Sequence, residues 1–118
     1  VWTAGYNAFG QLGDGTTKDR EEPQQIASNA VAVSAGKHHT AFIRSDGTLW
    51  LAGNNTDGEI GDGSYEHRLS PVQVANEVAS VSLGHYHTLF VKTNGTLWGM
   101  GWNGTGNLGD GTTTGHPD

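Results

Sequence analysis

The chain has 118 residues, with twelve acidic side chains against six basic ones and a formal net charge of −6. Its basic residues (Lys18, Arg20, Lys37, Arg44, Arg68 and Lys92) are scattered singly, which argues against nucleic acid as a partner, because backbone binding needs a basic patch to release counterions. There is no cysteine, which excludes disulfides and thiolate chemistry, and no apolar run approaches the roughly 20 residues of a membrane span. No membrane partner is therefore expected.

Val1 opens the chain without a Met and without a signal peptide, which suggests a processed chain or an excerpt of a longer one. From there the same wording begins, Trp-x-x-Gly-x-Asn-x-x-Gly-x-Leu/Ile-Gly-Asp-Gly, and it recurs from Trp2, Trp50 and Trp98 at a spacing of 48 residues. A fixed period of this length marks one supersecondary unit repeated along the chain. The nineteen glycines are about twice the usual share of roughly 7%. They fall in register (Gly5, Gly53 and Gly101, for example), as backbone positions with special φ or close packing would.

After the first Gly-rich connection, Pro23-Gln-Gln-Ile26 reads as a short strand. Val31–Ala35 and Val78–Leu83 are β-branched runs bounded by glycine, and Thr40–Arg44 and Thr88–Lys92 form a second strand in their units. Asp46-Gly47 and Asn94-Gly95 follow. Such pairs predict type I′ hairpin turns, with φ positive at both central residues. Thr48–Ala52 and Thr96–Met100 return as a third strand, and Pro71-Val-Gln-Val74 forms a fourth. Its proline suits an edge strand, which can lack a ladder donor. No sustained 3.6-residue apolar stripe appears, so no long helix is expected. Four short antiparallel strands per unit describe a β-propeller blade. The fold class is all-β, with about two and a half repeats: a partial blade over 1–26, a blade over 27–74 and an incomplete blade over 75–118.

The second and third units share fourteen of twenty-eight positions between Gly36–Gly63 and Gly84–Gly111. Gly36-x-x-His39-Thr40, Asp46-Gly47-Thr48-Leu49-Trp50 and Asn7-x-x-Gly10-Gln11-Leu12-Gly13 resemble the repeat of the regulator-of-chromosome-condensation family. The Leu-Gly-Asp-Gly-Thr-Thr wording at 12–17 and 108–113 resembles its bacterial, alpha-tubulin-suppressor-like branch. The resemblance implies a seven-bladed propeller. The remaining blades would come from the same longer chain, or from further copies in a homo-oligomer that completes the ring, because an uncapped blade face stays wet and adhesive.

The repeated residues read as structural. Trp2, Trp50 and Trp98 read as hydrophobic keystones between blades; His39 and His87 as imidazoles that satisfy backbone groups within each blade. Asn7, Asn55 and Asn103 read as loop anchors, and Asp14, Asp62 and Asp110 as Asx-turn residues that bond their own backbone two residues on. Histidines near a propeller shaft can bind a transition metal, and short acidic Gly-rich loops such as the Gly-Asp-Gly segments can bind calcium. The ligand sets are incomplete, and no metal or cofactor is expected. No nucleophile elbow or face-to-face carboxylate pair emerges, and the acidic residues that break the repeat, Asp19, Glu21, Glu22, Glu59 and Glu66, read as solvated loop charges.

Function is then expected where units differ. Tyr6, Asn54 and Trp102 share one register, and so do Phe9, Asp57 and Thr105. Exposed aromatics anchor interfaces, which makes Tyr6, Phe9, Tyr65, Tyr86 and Trp102 the candidate partner-binding residues. The expected function is a non-catalytic repeat module that binds a protein through its blade-connecting loops. The resemblance implies one alternative, guanine-nucleotide exchange on a small GTPase. A hydrolase with a site in the propeller shaft is the other.

Overall fold

Short β-branched and aromatic runs, cut by glycine turns, fold into nine strands in a computed structural model that describes residues 1–103. Strands β1 (Trp2–Gly5) and β2 (Arg20–Gln25) pair as one antiparallel ribbon. Strands β3 (Ala30–Ala35), β4 (His39–Arg44), β5 (Leu49–Gly53) and β6 (Arg68–Ala75) form a complete four-stranded meander in the order β3-β4-β5-β6. A third sheet contains β7 (Val78–Leu83), β8 (His87–Lys92) and β9 (Leu97–Gly101). We call these sheets blades one, two and three. The architecture is all-β and propeller-like, and no helix occurs among the described residues.

The fourth strand of a blade is longer than its sequence suggests. Pairing of β5 with β6 begins at Gly53 and Arg68, upstream of Pro71. Because β6 is the sheet edge, Pro71 interrupts no ladder that needs its missing donor.

The hairpins differ from the expected two-residue turns. Only Gly47 and Gly95 have positive φ, at 83° and 85°, and the preceding Asp46 and Asn94 do not. Gly47 donates its N–H to the Arg44 carbonyl at 2.9 Å, and Arg44 N–H reaches Thr48 O at 2.9 Å. That is a three-residue loop whose third residue is left-handed, the bulged hairpin that competes with type I′. The Asp46 carboxylate tips the balance: it accepts from Thr48 N and Oγ1 at 3.0 and 2.6 Å, which holds Asp46 in a turn conformation with ordinary φ.

Alternation along β4 and β5 sends Ala41, Ile43, Leu49 and Leu51 to one face of blade two. There they pack with Val78, Phe90 and Met100 of blade three and with Ile60 from the β5–β6 connection. Each fully buried aliphatic side chain of this kind contributes about 1.5–3 kcal/mol. The equivalent face of blade three is bare among the described residues: Leu97 is 67% exposed, where its repeat counterpart Leu49 is 0% exposed.

None of the three tryptophans is a fully buried keystone: Trp50 is half-buried, and Trp2 and Trp98 are exposed. Trp50 stacks on Phe42, its register partner across β4–β5, at 6.5 Å and 3°, with the Arg44 guanidinium 4.3 Å from its ring. Trp98 repeats this on Phe90 and Lys92 and lines a groove against Gln73–Asn76 of blade two. Both indole N–H groups bond the threonine two residues earlier, at 2.9 and 2.8 Å. Trp2 and Trp98 remain 65% and 50% exposed.

Candidate binding face at the blade junctions

The long β1–β2 and β5–β6 connections have little regular structure, so their backbone groups need other partners. One asparagine supplies them in each. Asn7 is fully buried; its amide Nδ2 donates to Thr16 O at 3.0 Å and Lys18 O at 2.9 Å, while Oδ1 accepts from Leu12 N at 2.9 Å. Asn55 does the same with Ser64 O, Glu66 O and Ile60 N at 3.0, 2.9 and 2.9 Å. Asp14 closes the first loop through Thr16 N and through Arg20 Nε at 2.9 Å. Burial raises its pKa, but the hydrogen bonds from Thr16 and Arg20 outweigh that and hold it at about 2. Asp62 pairs with Ser64 and Arg68 in the same way. Asn103 is likewise buried, whereas Asp110 lies outside the described residues.

Each loop then crosses to the next blade. Thr40 Oγ1 donates to the Gln11 carbonyl at 2.7 Å, and Thr88 Oγ1 donates to the Glu59 carbonyl at 2.7 Å. Since the Thr88 proton is committed, the contact with His39 Nε2 at 3.1 Å must have the imidazole as donor. His39 is buried, which pulls its pKa down to about 4 and keeps it neutral. Its ring lies against Gly36, where a Cβ would come within 2.6 Å of the imidazole. His87 holds the same position in blade three but is only partly buried.

Glu59 is not a solvated loop charge. It is fully buried, and burial pushes its carboxyl up to about 7. It occupies the register of Gln11, and that repeat position is the signal in the sequence that marks it as interior. Gln11 Oε1 accepts from Phe9 N at 3.0 Å, and Glu59 Oε2 accepts from Asp57 N at 2.9 Å. The second carboxylate oxygen takes the Asn54 amide at 2.6 Å, a donor that Tyr6 cannot offer in the first unit. Asp19, also expected in solvent, accepts the Asn7 N–H at 2.8 Å; His67 Nδ1 takes over that task for Asn55 at 3.0 Å.

The same end of the blades carries Tyr6 and Trp102, which are exposed, and Phe9 and Tyr86, which are half-buried. At the first junction Tyr6 and Phe9 meet edge-on at 6.5 Å, and Phe9 packs 4.8 Å from His38 and 5.3 Å from His67. At the second, Asp57, His85, Tyr86, His87 and Trp102 line an open cleft of about 610 Å³. The Lys37 ammonium lies 3.2 Å from the Tyr86 hydroxyl and 5.4 Å from its ring. His38 and His85, which vary in register, therefore join the candidate face together with His67 and Lys37. Tyr65 stands apart, 57% exposed within the β5–β6 connection and in neither cluster. Among the described residues no group of three His, Cys, Asp or Glu side chains is arranged to hold a metal ion.

The family profile described as the regulator of chromosome condensation (RCC1) repeat matches residues 1–43 and 46–91. The chain belongs to the RCC1 repeat family. A second RCC1 repeat profile matches residues 30–59 and 78–107. Among solved structures the chain is similar to human WBSCR16, at 23% identity and a TM-score of 0.78 over 98% of this chain and 33% of that one. It is also similar to Prp20p from Saccharomyces cerevisiae, described with its binding properties to Gsp1p and histones, at 24% identity and TM-score 0.79 over 98% and 32%. A structure of Kap60 bound to yeast RCC1 (Prp20) matches at 23% and 0.78, with 98% and 31% covered. At these identities the likeness shows the fold. The RCC1 repeats described here span about a third of the length of these structures.

Proposed function

We propose that this chain is a non-catalytic propeller segment that binds a protein partner through the loop face at its blade junctions. One contrast carries the reading. The repeated polar side chains Asn7, Asn55, Asp14 and Asp62 spend their hydrogen bonds inside the loops, whereas at registers where the units differ Tyr6 and Phe9 pair at the first junction and Tyr86 and Trp102 line the cleft at the second. Rigid aromatic groups on a fixed scaffold are what interface anchors require. The family supports a partner that is a protein, since Prp20p is described with Gsp1p, histones and Kap60.

Panning a random peptide library against the chain tests this. Bound peptides mapped by amide NMR should perturb residues 6–9, 37–38, 85–86 and 102. Binders that map instead to the hairpin ends at Asp46 and Asn94 would overturn it. Exchange activity on a small GTPase is the second reading, favoured by the likeness to a structure described with Gsp1p. Faster nucleotide release from a GTPase of the host in the presence of the chain would support that reading, and an unchanged rate would count against it.

A further inference from the structure

The two junctions share a backbone and differ in what it presents. In both, a buried side chain at the Gln11/Glu59 register clamps the N–H two residues earlier, at 3.0 and 2.9 Å. The clamped residue is Phe9 in one and Asp57 in the other. Phe9 turns its ring into the His38 and His67 rings and closes the first junction. At Asp57 the equivalent space among the described residues is an open cleft, with a carboxylate at one side and the rings of Tyr86 and Trp102 around it.

We propose that this cleft is a binding site for a cationic side chain, a lysine or arginine presented by a basic segment of a protein partner. The inference rests on the loop-face reading above and names the chemistry of its second junction. An aromatic face attracts a cation within about 6 Å of its centroid, and the structure already realises that attraction with Lys37 at 5.4 Å from the Tyr86 ring. Lys37 does not line the cleft, while Asp57 does. Asp57 uses its backbone N–H in the clamp, which leaves the carboxylate to offer a charge to a ligand. The net charge of −6 steers a basic partner toward the chain and a like-charged one away. Neither a neutral nor an acidic side chain would use the carboxylate and the ring faces together.

The test is an NMR titration of the full chain with the capped tripeptide Lys-Lys-Lys and, separately, with capped Gln-Gln-Gln. The lysine peptide should move the Trp102 indole and Tyr86 ring signals, and the glutamine peptide should not. Asp57→Asn should weaken lysine-peptide binding about threefold and Trp102→Ala by a similar factor, as a partly exposed charge pair and a cation–π contact imply. Asp57→Phe, which copies the first junction, should abolish it. Asp57→Asn keeps the clamped N–H, so circular dichroism should be unchanged and the binding loss readable. Equal titration by the two peptides, or lysine binding indifferent to both Asp57→Asn and Trp102→Ala, would overturn the proposal; the latter would show diffuse attraction to an acidic chain. If the tripeptide fails while library-selected peptides still depend on Tyr6 and Phe9, the cation site falls and the loop-face reading stands. If the tripeptide depends on Asp57 while selected peptides map elsewhere, the reverse holds.

Discussion

The first and second blade junctions are nearly the same object built twice. Asn7 and Asn55 make matching bonds to loop carbonyls, Asp14 and Asp62 pair with Arg20 and Arg68, and Thr40 and Thr88 reach across to the preceding loop. What differs lies in a few side chains, among them Tyr6, Phe9, Gln11, Asp19 and His38 in one and Asn54, Asp57, Glu59, His67 and Tyr86 in the other. The comparison separates the parts that hold a junction together from the parts that give it a chemical character. It also shows that the separation is incomplete, because Glu59 differs from Gln11 and is nonetheless buried.

The largest expected effect tests the shared part. Asn55→Ala leaves Ile60 N and the Ser64 and Glu66 carbonyls without their partner. At about 1–3 kcal/mol for each buried group orphaned, it should cost about 4 kcal/mol in urea unfolding, and Asn7→Ala should cost a similar amount. A large asymmetry between the two would break the equivalence of the junctions. Next, Ile60→Ala removes a fully buried side chain from the core between blades two and three and should cost about 3 kcal/mol.

The third prediction concerns pH, where the junctions part. Glu59 has a folded pKa of about 7 against an ordinary value of 4.5, so the folded chain holds more protons than the unfolded one between these limits. Its contribution is fully present below pH 4.5 and declines as pH rises to about 7, by about 2–3 kcal/mol. His39 behaves oppositely: its pKa falls from 6.5 to about 4, so its contribution is present above pH 6.5 and is lost as pH falls toward 4. Between pH 4.5 and 6.5 the two slopes cancel. Unfolding free energy of the wild type should be nearly flat there, and Glu59→Gln should expose a stability that rises with pH. A wild-type profile that already rises with pH as steeply as that of Glu59→Gln would show that Glu59 is ionised in the fold. The smallest effect belongs to the partly exposed ion pairs: Arg20→Gln and Arg68→Gln should each cost under about 1 kcal/mol, read as a small shift in the urea midpoint.

Much of the fold was legible because repetition exposes it. The 48-residue period, the registered glycines and the strand runs are set by local chemistry that every blade needs. The hairpin type was not, because Asp46 and Asn94 can either adopt positive φ or cap the turn with their side chains. Only the bonds to Thr48 and Thr96 decide that. The aromatics of the candidate face stand out in the sequence, and its imidazoles do so less. His67 looks like any loop histidine until it is seen accepting the Asn55 N–H beside Phe9. Burial of Glu59 was hidden in a long polar connection, since nothing near it in sequence is apolar except Ile60; its register with Gln11 was the available clue. The indole bonds of Trp50 and Trp98 to Thr48 and Thr96 are a geometric fact that hydrophobicity alone does not predict.

The central claim is that the repeated residues hold the junctions while the unrepeated aromatic residues bind. Its most direct test is the dissociation constant of a library-selected peptide for Tyr6→Ser/Trp102→Ser, measured beside the urea midpoint of the same variant, with Tyr65→Ser as the control. The account predicts at least a roughly tenfold loss of affinity, as for two interface anchors, with the midpoint essentially unmoved and Tyr65→Ser binding like the wild type. Unchanged affinity in the double variant, or a loss seen only when the chain also unfolds, would contradict it.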